Sequence, residues 1–147
     1  MHLSSVVHDL PTKLWCGPAV VSAIAGIPTS EATKLIRRHR RRRKQPERVI
    51  GTTHEDLEAV LRNIGYWTEV SDVSYRSEHP TFRTWLDESR PYKQAFIVML
   101  GRDDLHWVAV TRTRFVDNST IDPIPVEEAP FRRLPVHAVI SVGKQSD

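Results

Sequence analysis

One segment constrains the fold more than any other: Cys16–Ala25 carries apolar residues on every side of a helix. A helix on the surface of a protein keeps a polar stripe towards water, so a helix that is apolar all round is expected inside the fold. Pro18 is tolerated only in the first turn of a helix, and Gly26 suits the left-handed residue that ends one. The sequence therefore predicts a buried helix that begins at Cys16, around which the rest of the chain must pack.

The chain has 147 residues, of which 39% are hydrophobic and 27% are charged. These values are ordinary for a soluble protein and predict one globular domain, residues 1–147. The apolar runs are much shorter than the roughly 20 residues that a membrane span needs. No basic segment followed by an apolar run marks a secretory signal at the N-terminus. We therefore expect no membrane contact and a location in the cytoplasm or in a particle packaged from it.

Helix signals fill the first half of the chain and strand signals the second half. Ser30 suits the start of a second helix, Thr52 and Glu55 predict the capping box of a third, and a short fourth helix is expected near residues 80–89. Segments rich in Val, Ile and Thr predict the strands: residues 66–70, 95–100, 107–112, 119–121 and 136–142. Helices followed by an antiparallel sheet indicate an α+β fold.

Cys16 is the only cysteine, so no internal disulfide is possible and a zinc site would need other ligand types. We expect neither metal nor cofactor. A thiol becomes a useful nucleophile as the thiolate, which the positive end of a helix dipole and a nearby imidazolium favour. A cysteine that only fills space in the core is the alternative interpretation. The glycine after Cys16 leaves backbone N–H groups at the helix start open to a bound oxyanion. This feature favours the interpretation of Cys16 as a nucleophile.

His106 is the histidine best placed to act as the base, because it stands at the entry to a predicted strand. Strand ends are rigid and yet open to solvent. A hairpin that turns at Asp117 and Asn118 would bring Asp122 back beside His106, where its carboxylate could orient the imidazole. The other histidines lie in the N-terminal arm, the basic run, helix starts or the last strand: His2, His8, His39, His54, His79 and His137.

Three motifs resemble those of papain-like cysteine peptidases: Trp-Cys-Gly-Pro-Ala at residues 15–19, His-Trp-Val-Ala-Val at His106–Val110, and Asp122-Pro123. They are most similar to the peptidase domain of bacteriocin-exporting ABC transporters and its free-standing relatives. In that family an Asp-Pro follows the histidine by about 16 residues, as it does here. The resemblance covers most of the chain and implies a papain-like α+β fold. It also implies a cysteine peptidase that forms a thioester with a peptide or protein substrate, with Cys16, His106 and Asp122 as its triad.

One position departs from the family pattern. The family usually has a glutamine six residues before the cysteine, where its amide completes the oxyanion hole, and this chain has Leu10 there. Loss of one oxyanion donor costs on the order of 100- to 1000-fold in rate. His8, Thr12 or Lys13 could supply the missing donor. The alternative function is therefore a structural or adaptor component of a larger assembly, such as a phage particle, on a papain-like scaffold.

The positive charge is concentrated in residues 34–48, which hold nine Lys and Arg against one acid. Their net charge of +8 leaves −5 for the rest of a chain whose total is +3. Such a run predicts a surface that binds an acidic protein or a nucleic acid, although many basic runs are only solvated helix ends. The residues expected to form this partner-binding surface are Arg37, Arg38, Arg40, Arg41, Arg42, Arg43 and Lys44.

Overall fold

The computed structural model describes residues 1–49, 51–72 and 80–145. The described residues form four α-helices: α1 (Cys16–Ala25), α2 (Thr29–Arg42), α3 (His54–Asn63) and α4 (Phe82–Asp87). A 3-10 turn follows late in the chain, at Val126–Glu128. Within these described ranges, no helix is both long enough and apolar enough to cross a membrane.

In the part of the chain that the structure describes, six strands form one antiparallel sheet in the order β1-β6-β2-β3-β4-β5. The strands are β1 (Tyr66–Asp72), β2 (Ala95–Leu100), β3 (His106–Val110), β4 (Arg114–Val116), β5 (Ile124–Pro125) and β6 (Val136–Lys144). Three helices precede the first strand, and the sheet follows with α4 between β1 and β2. The predicted α+β class with an antiparallel sheet is confirmed.

The helix α1 lies at the centre of the fold, as its apolar sequence predicts. All of its residues from Gly17 to Ile24 are buried, and Gly26 ends it with φ 72° in the left-handed region. The helix packs on β3 and on both neighbouring helices. Because α1 is held on all sides, the position of its first residue, Cys16, is fixed by the core.

The central strands of the sheet are buried on both faces, and β2 shows the alternation. Ala95 and Ile97 pack with the first three helices, whereas Phe96, Val98 and Leu100 pack with α4 and the segment before β6. Successive side chains of a strand point to opposite faces, so one uninterrupted apolar strand can serve two apolar clusters. The sheet is thus the middle layer between the main helices and α4.

The start of α3 differs by one residue from the predicted capping box. Thr53, not Thr52, is the N-cap, and its side chain and that of Asp56 exchange hydrogen bonds with each other's backbone N–H. Both pairs have the same spacing in the sequence, so local pattern cannot choose between them. The tertiary structure favours Asp56, because its carboxylate also binds Arg40 from α2.

The predicted strand at residues 119–121 is wrong, because the hairpin after β3 turns earlier than expected. The Thr111 N–H donates to the carbonyl of Arg114 at 2.9 Å, and the Arg114 N–H donates to the Thr111 hydroxyl at 3.1 Å. The returning strand β4 is therefore Arg114–Val116. Asp117 does start a turn, as the sequence suggests, but that turn follows β4 instead of preceding it.

Candidate active site

Cys16 is the first residue of α1 and is half-buried. Burial raises the pKa of its thiol, but hydrogen bonding to His106 and to the backbone N–H of Trp107, together with the His106 charge, outweighs burial. The pKa of Cys16 therefore lies below its ordinary value. A lowered pKa at a helix N-terminus beside an imidazole is the environment of a reactive cysteine and not of an inert one.

His106 begins β3, the strand that packs on α1. Its Nε2 lies 3.0 Å from a carboxylate oxygen of Asp117, which leaves Nδ1 as the ring nitrogen for Cys16. The ring of Phe131 meets the imidazole edge-on, with 5.4 Å between centroids. Burial lowers the pKa of His106, but Asp117 and Cys16 raise it to about 9. The imidazolium and the thiolate thus stabilise each other.

Asp117 is fully buried and held from two directions. Its Oδ1 accepts the backbone N–H groups of Ser119 and Thr120, both at 2.9 Å, and its Oδ2 faces His106. Burial raises the pKa of this carboxyl, but the His106 hydrogen bond and the two N–H groups hold it below its usual range. The carboxylate is therefore fixed in position and ionised beside the imidazole.

Asp122 does not contact His106, and the expectation that it orients the imidazole is wrong in this structure. Its carboxylate accepts the hydroxyl of Ser5 at 2.7 Å. The physical reason is the early hairpin turn. Ala109 pairs with Val116 at the end of β4, and the carboxylate of the next residue, Asp117, reaches His106. The signal in the sequence was the Asp117-Asn118 pair itself, which predicts a turn and also supplies the carboxylate.

Two further residues fix the segment around Cys16, and sequence patterns did not reveal either. The side-chain amide of Asn118 donates to the carbonyl of Leu14 at 3.1 Å, so the residue after Asp117 holds the chain just before Cys16. Thr52 packs so closely on Gly17 that a Cβ atom there would lie 2.1 Å from its hydroxyl oxygen. Trp107 in turn donates its indole N–H to the Thr52 carbonyl at 2.8 Å.

The residues considered as substitutes for the glutamine lie in the loop before α1. Both ring nitrogens of His8 are engaged, one with the Thr29 hydroxyl and one with the Thr12 carbonyl. The ammonium of Lys13 lies over the ring of Trp15, 4.7 Å from its centroid. Leu10 is half-buried and lines a groove beside these residues. His8 is thus committed to the loop, whereas Lys13 places a cation beside the residue that precedes Cys16.

The remaining histidines have other surroundings. His137 contacts the carbonyl of Gly101 with Nε2 at 2.7 Å, and His54 lies 3.3 Å from Glu58 within α3. His39 lies 4.0 Å from Asp56, and His79 lies outside the described residues. In the described part of the chain, no group of three or more His, Cys, Asp and Glu side chains could hold a metal ion.

Arg40 is a correction to the predicted basic surface, because it is buried with 7% of its area exposed. Its guanidinium bonds to Asp56 at 2.7 Å, to the carbonyl of Arg48 at 2.6 Å and to the carbonyl of Gly51. It therefore ties α2 to the start of α3 and is not a partner contact. The other six predicted residues are exposed: Arg37, Arg38, Arg41, Arg42, Arg43 and Lys44.

The fold is similar to that of a solved peptidase domain. The peptidase domain of Streptococcus ComA, a bifunctional ABC transporter involved in a quorum-sensing pathway, superimposes with a TM-score of 0.61 and 17% sequence identity. The match covers 96% of this chain and 98% of that domain. This chain has the fold of that peptidase domain. No family model and no curated protein sequence matches the chain.

Proposed function

We propose that this chain is a cysteine peptidase with Cys16 as nucleophile, His106 as acid and base, and Asp117 as the orienting carboxylate. The observation that carries the proposal is the arrangement at His106, which lies between a buried carboxylate and the only thiol of the chain. Asp117 and Cys16 both favour the imidazolium form of His106, which donates the proton in the proposed reaction. A triad is defined by geometry and roles, so the position of the aspartate in the sequence is secondary.

The chemistry follows from the charges. The Cys16 thiolate attacks the carbonyl carbon of a peptide bond, and the carbonyl electron pair moves onto oxygen. When the tetrahedral intermediate collapses, the imidazolium of His106 gives its proton to the departing amine, which leaves a thioester on Cys16. Neutral His106 then takes a proton from water, and the hydroxide so formed attacks the thioester. This step releases the acid and returns the thiolate–imidazolium pair.

The oxyanion in both steps needs hydrogen-bond donors. The backbone N–H groups in the first turn of a helix have no partner within the helix, and those of Cys16 and Gly17 begin α1. Leu10 supplies no side-chain donor, so the rate should fall below that of a site with a glutamine there by on the order of 100- to 1000-fold. The proposed enzyme is therefore slow unless contacts away from the cleaved bond hold the substrate in position.

The test is cleavage of a mixture of random-sequence peptides, followed by mass spectrometry of the new termini. The wild-type chain is compared with Cys16→Ala, and Cys16 is also titrated with iodoacetamide at about pH 6, where a free thiol hardly reacts. We expect new termini with the wild type alone. We also expect alkylation much faster than that of free cysteine, with the advantage lost in His106→Ala.

Two results would oppose the proposal. Alkylation at the rate of free cysteine together with no cleavage would indicate a scaffold without catalysis, the adaptor alternative. Fast alkylation without peptide cleavage would indicate an activated thiol that acts on a non-peptide acyl group. The two assays therefore separate loss of the nucleophile from a wrong substrate class.

A further inference from the structure

A groove of about 510 Å³ runs between the loop before α1 and the face of α2 that carries Thr29, Thr33 and Arg37. Its apolar wall comprises Leu10, Leu14, Trp15, Pro18 and Val49. Trp15 and Pro18 flank Cys16 in the sequence, and Trp15 is the N-cap of α1. A ligand in this groove would therefore lie next to the segment that carries the nucleophile.

The charged residues that line the groove are all basic. Arg37 enters it from α2, Arg48 from the segment after α2, and Lys13 from the loop before α1. Among the residues that the structure describes, no aspartate or glutamate contributes to this lining. Glu47 does not line the groove; it pairs with Arg41 at 2.7 Å, and its charge also interacts with that of Arg37. An anionic group is the occupant that this charge pattern complements.

The shape of the groove separates it from a general polyanion surface. A phosphate backbone needs exposed cations along an open face, whereas this lining combines cations with Trp15, Leu10 and Leu14. Aromatic and aliphatic side chains in a concave site favour apolar groups placed between the charges. A peptide with acidic and apolar side chains supplies both, since its backbone spaces them a few ångströms apart.

Resting on the proposed peptidase function, we propose that this groove binds an acidic, partly apolar segment of the peptide substrate and thereby selects the substrate. Arg37, Arg48 and Lys13 meet the carboxylates, and the apolar wall takes the side chains between them. The exposed cations farther along α2 raise the local concentration of acidic peptides through their field, without contacting the bound segment. Holding the substrate in this way offsets the weak oxyanion hole.

The experiment measures binding and turnover separately. Three short peptides carry a neutral dye and alternate leucine with glutamate, with glutamine or with lysine. Their affinities for Cys16→Ala are measured by fluorescence anisotropy, and their cleavage by the wild-type chain is measured by mass spectrometry. We expect the glutamate peptide to bind tightest and to be cleaved fastest, and the lysine peptide to bind weakest.

The decisive variant reverses two groove charges, Arg37→Glu with Arg48→Glu. Exposed charge contacts each contribute a fraction of 1 kcal/mol, and reversal replaces attraction by repulsion, so two reversals should weaken glutamate-peptide binding about tenfold. The lysine peptide should bind better by a similar factor. The matched control is Arg38→Glu with Arg42→Glu, which changes the net charge equally on the α3 side of α2. The control should change affinity less than about threefold.

Three outcomes would overturn the inference. Equal effects of the two double variants would mean a diffuse charge effect with no groove contact. Tighter binding of a single-stranded oligonucleotide than of the glutamate peptide, lost in both double variants, would mean a nucleic-acid surface. A glutamate peptide that binds in the groove but is cleaved no faster than the glutamine peptide would mean that the bound segment is not part of the substrate. Alkylation of Cys16 reports independently on whether the proposed catalytic site itself has failed.

Discussion

Replacing Asp117 by asparagine is the perturbation that most directly tests the site, with Asp122→Asn as its control. The asparagine amide would keep an oxygen that accepts the two backbone N–H groups, so the turn should survive. The substitution would remove the negative charge beside His106 and would present an N–H₂ group to Nε2. That group favours a neutral imidazole with its proton on Nδ1, the nitrogen that must accept a proton from Cys16.

The structure indicates the size of the effect. The pKa of His106 is about 9 against an ordinary 6.5. At roughly 1.4 kcal/mol per pH unit, this difference corresponds to about 3 kcal/mol in favour of the imidazolium. The hydrogen bond to Asp117 is the largest single cause that raises this pKa, and Cys16 raises it as well. Loss of Asp117 should lower the pKa of His106, so that the imidazolium that stabilises the Cys16 thiolate is lost at a lower pH. The alkylation advantage of Cys16 over free cysteine should then fall by on the order of tenfold near neutral pH.

The assay is the rate of Cys16 alkylation by iodoacetamide between about pH 5 and pH 10, followed by intact mass. The wild type should react fast at pH 6, because the imidazolium that stabilises the thiolate persists up to about pH 9. Asp117→Asn should move the rise in rate towards the pH at which free cysteine ionises. Asp122→Asn should follow the wild-type curve, since its carboxylate contacts Ser5 and not His106.

The opposite result would refute the geometry. If Asp122→Asn shifted the curve and Asp117→Asn did not, Asp122 would be the orienting residue, and the contact between Asp117 and His106 would have no chemical role. Thermal melting of both variants checks that the fold is intact. His106→Ala sets the slowest rate expected for this environment.

Two further predictions concern the support of the site. Arg40→Met should lower the free energy of unfolding by about 3–5 kcal/mol, because it leaves Asp56 buried without its cation. The control Arg42→Met changes an exposed arginine and should cost well under 1 kcal/mol, and urea unfolding measures both. Burial raises the pKa of Asp56, but Arg40 holds it below the ordinary value. The stability that the Arg40–Asp56 pair contributes is therefore present above about pH 4 and is lost as the pH falls, and Arg40→Met should flatten this dependence of stability on pH. Gly17→Ala should destabilise the fold by about 1–3 kcal/mol, because the added methyl group clashes with Thr52. In a Thr52→Gly background the clash is absent, so adding Gly17→Ala there should lower the melting temperature less than it does in the wild type. Equal melting temperatures for wild type and Gly17→Ala would show that Thr52 yields freely.

The elements whose signals are local could be predicted from the sequence. A ten-residue segment that is apolar on every side, with Pro18 in its first turn and Gly26 after its end, predicts a buried helix, and α1 has the predicted bounds, Cys16–Ala25. The apolar run of β2 was likewise sufficient to place Ala95–Leu100 as a strand. Cys16 and His106 follow from the same logic, because each begins an element whose start is marked in the sequence. The sequence therefore indicates Cys16 at the start of α1 and His106 at the start of β3.

The aspartate and the role of Arg40 depended on contacts between distant segments. Asp117 and Asp122 are both turn formers after β3, and only the hairpin register decides which one faces His106. Arg40 belongs to a run of four arginines, and nothing in that run distinguishes it. It is buried because its position on α2 faces Asp56, which lies 16 residues later. Hydrophobic periodicity fixes elements one at a time, but a carboxylate is assigned to its cation only when the elements pack and bury the pair.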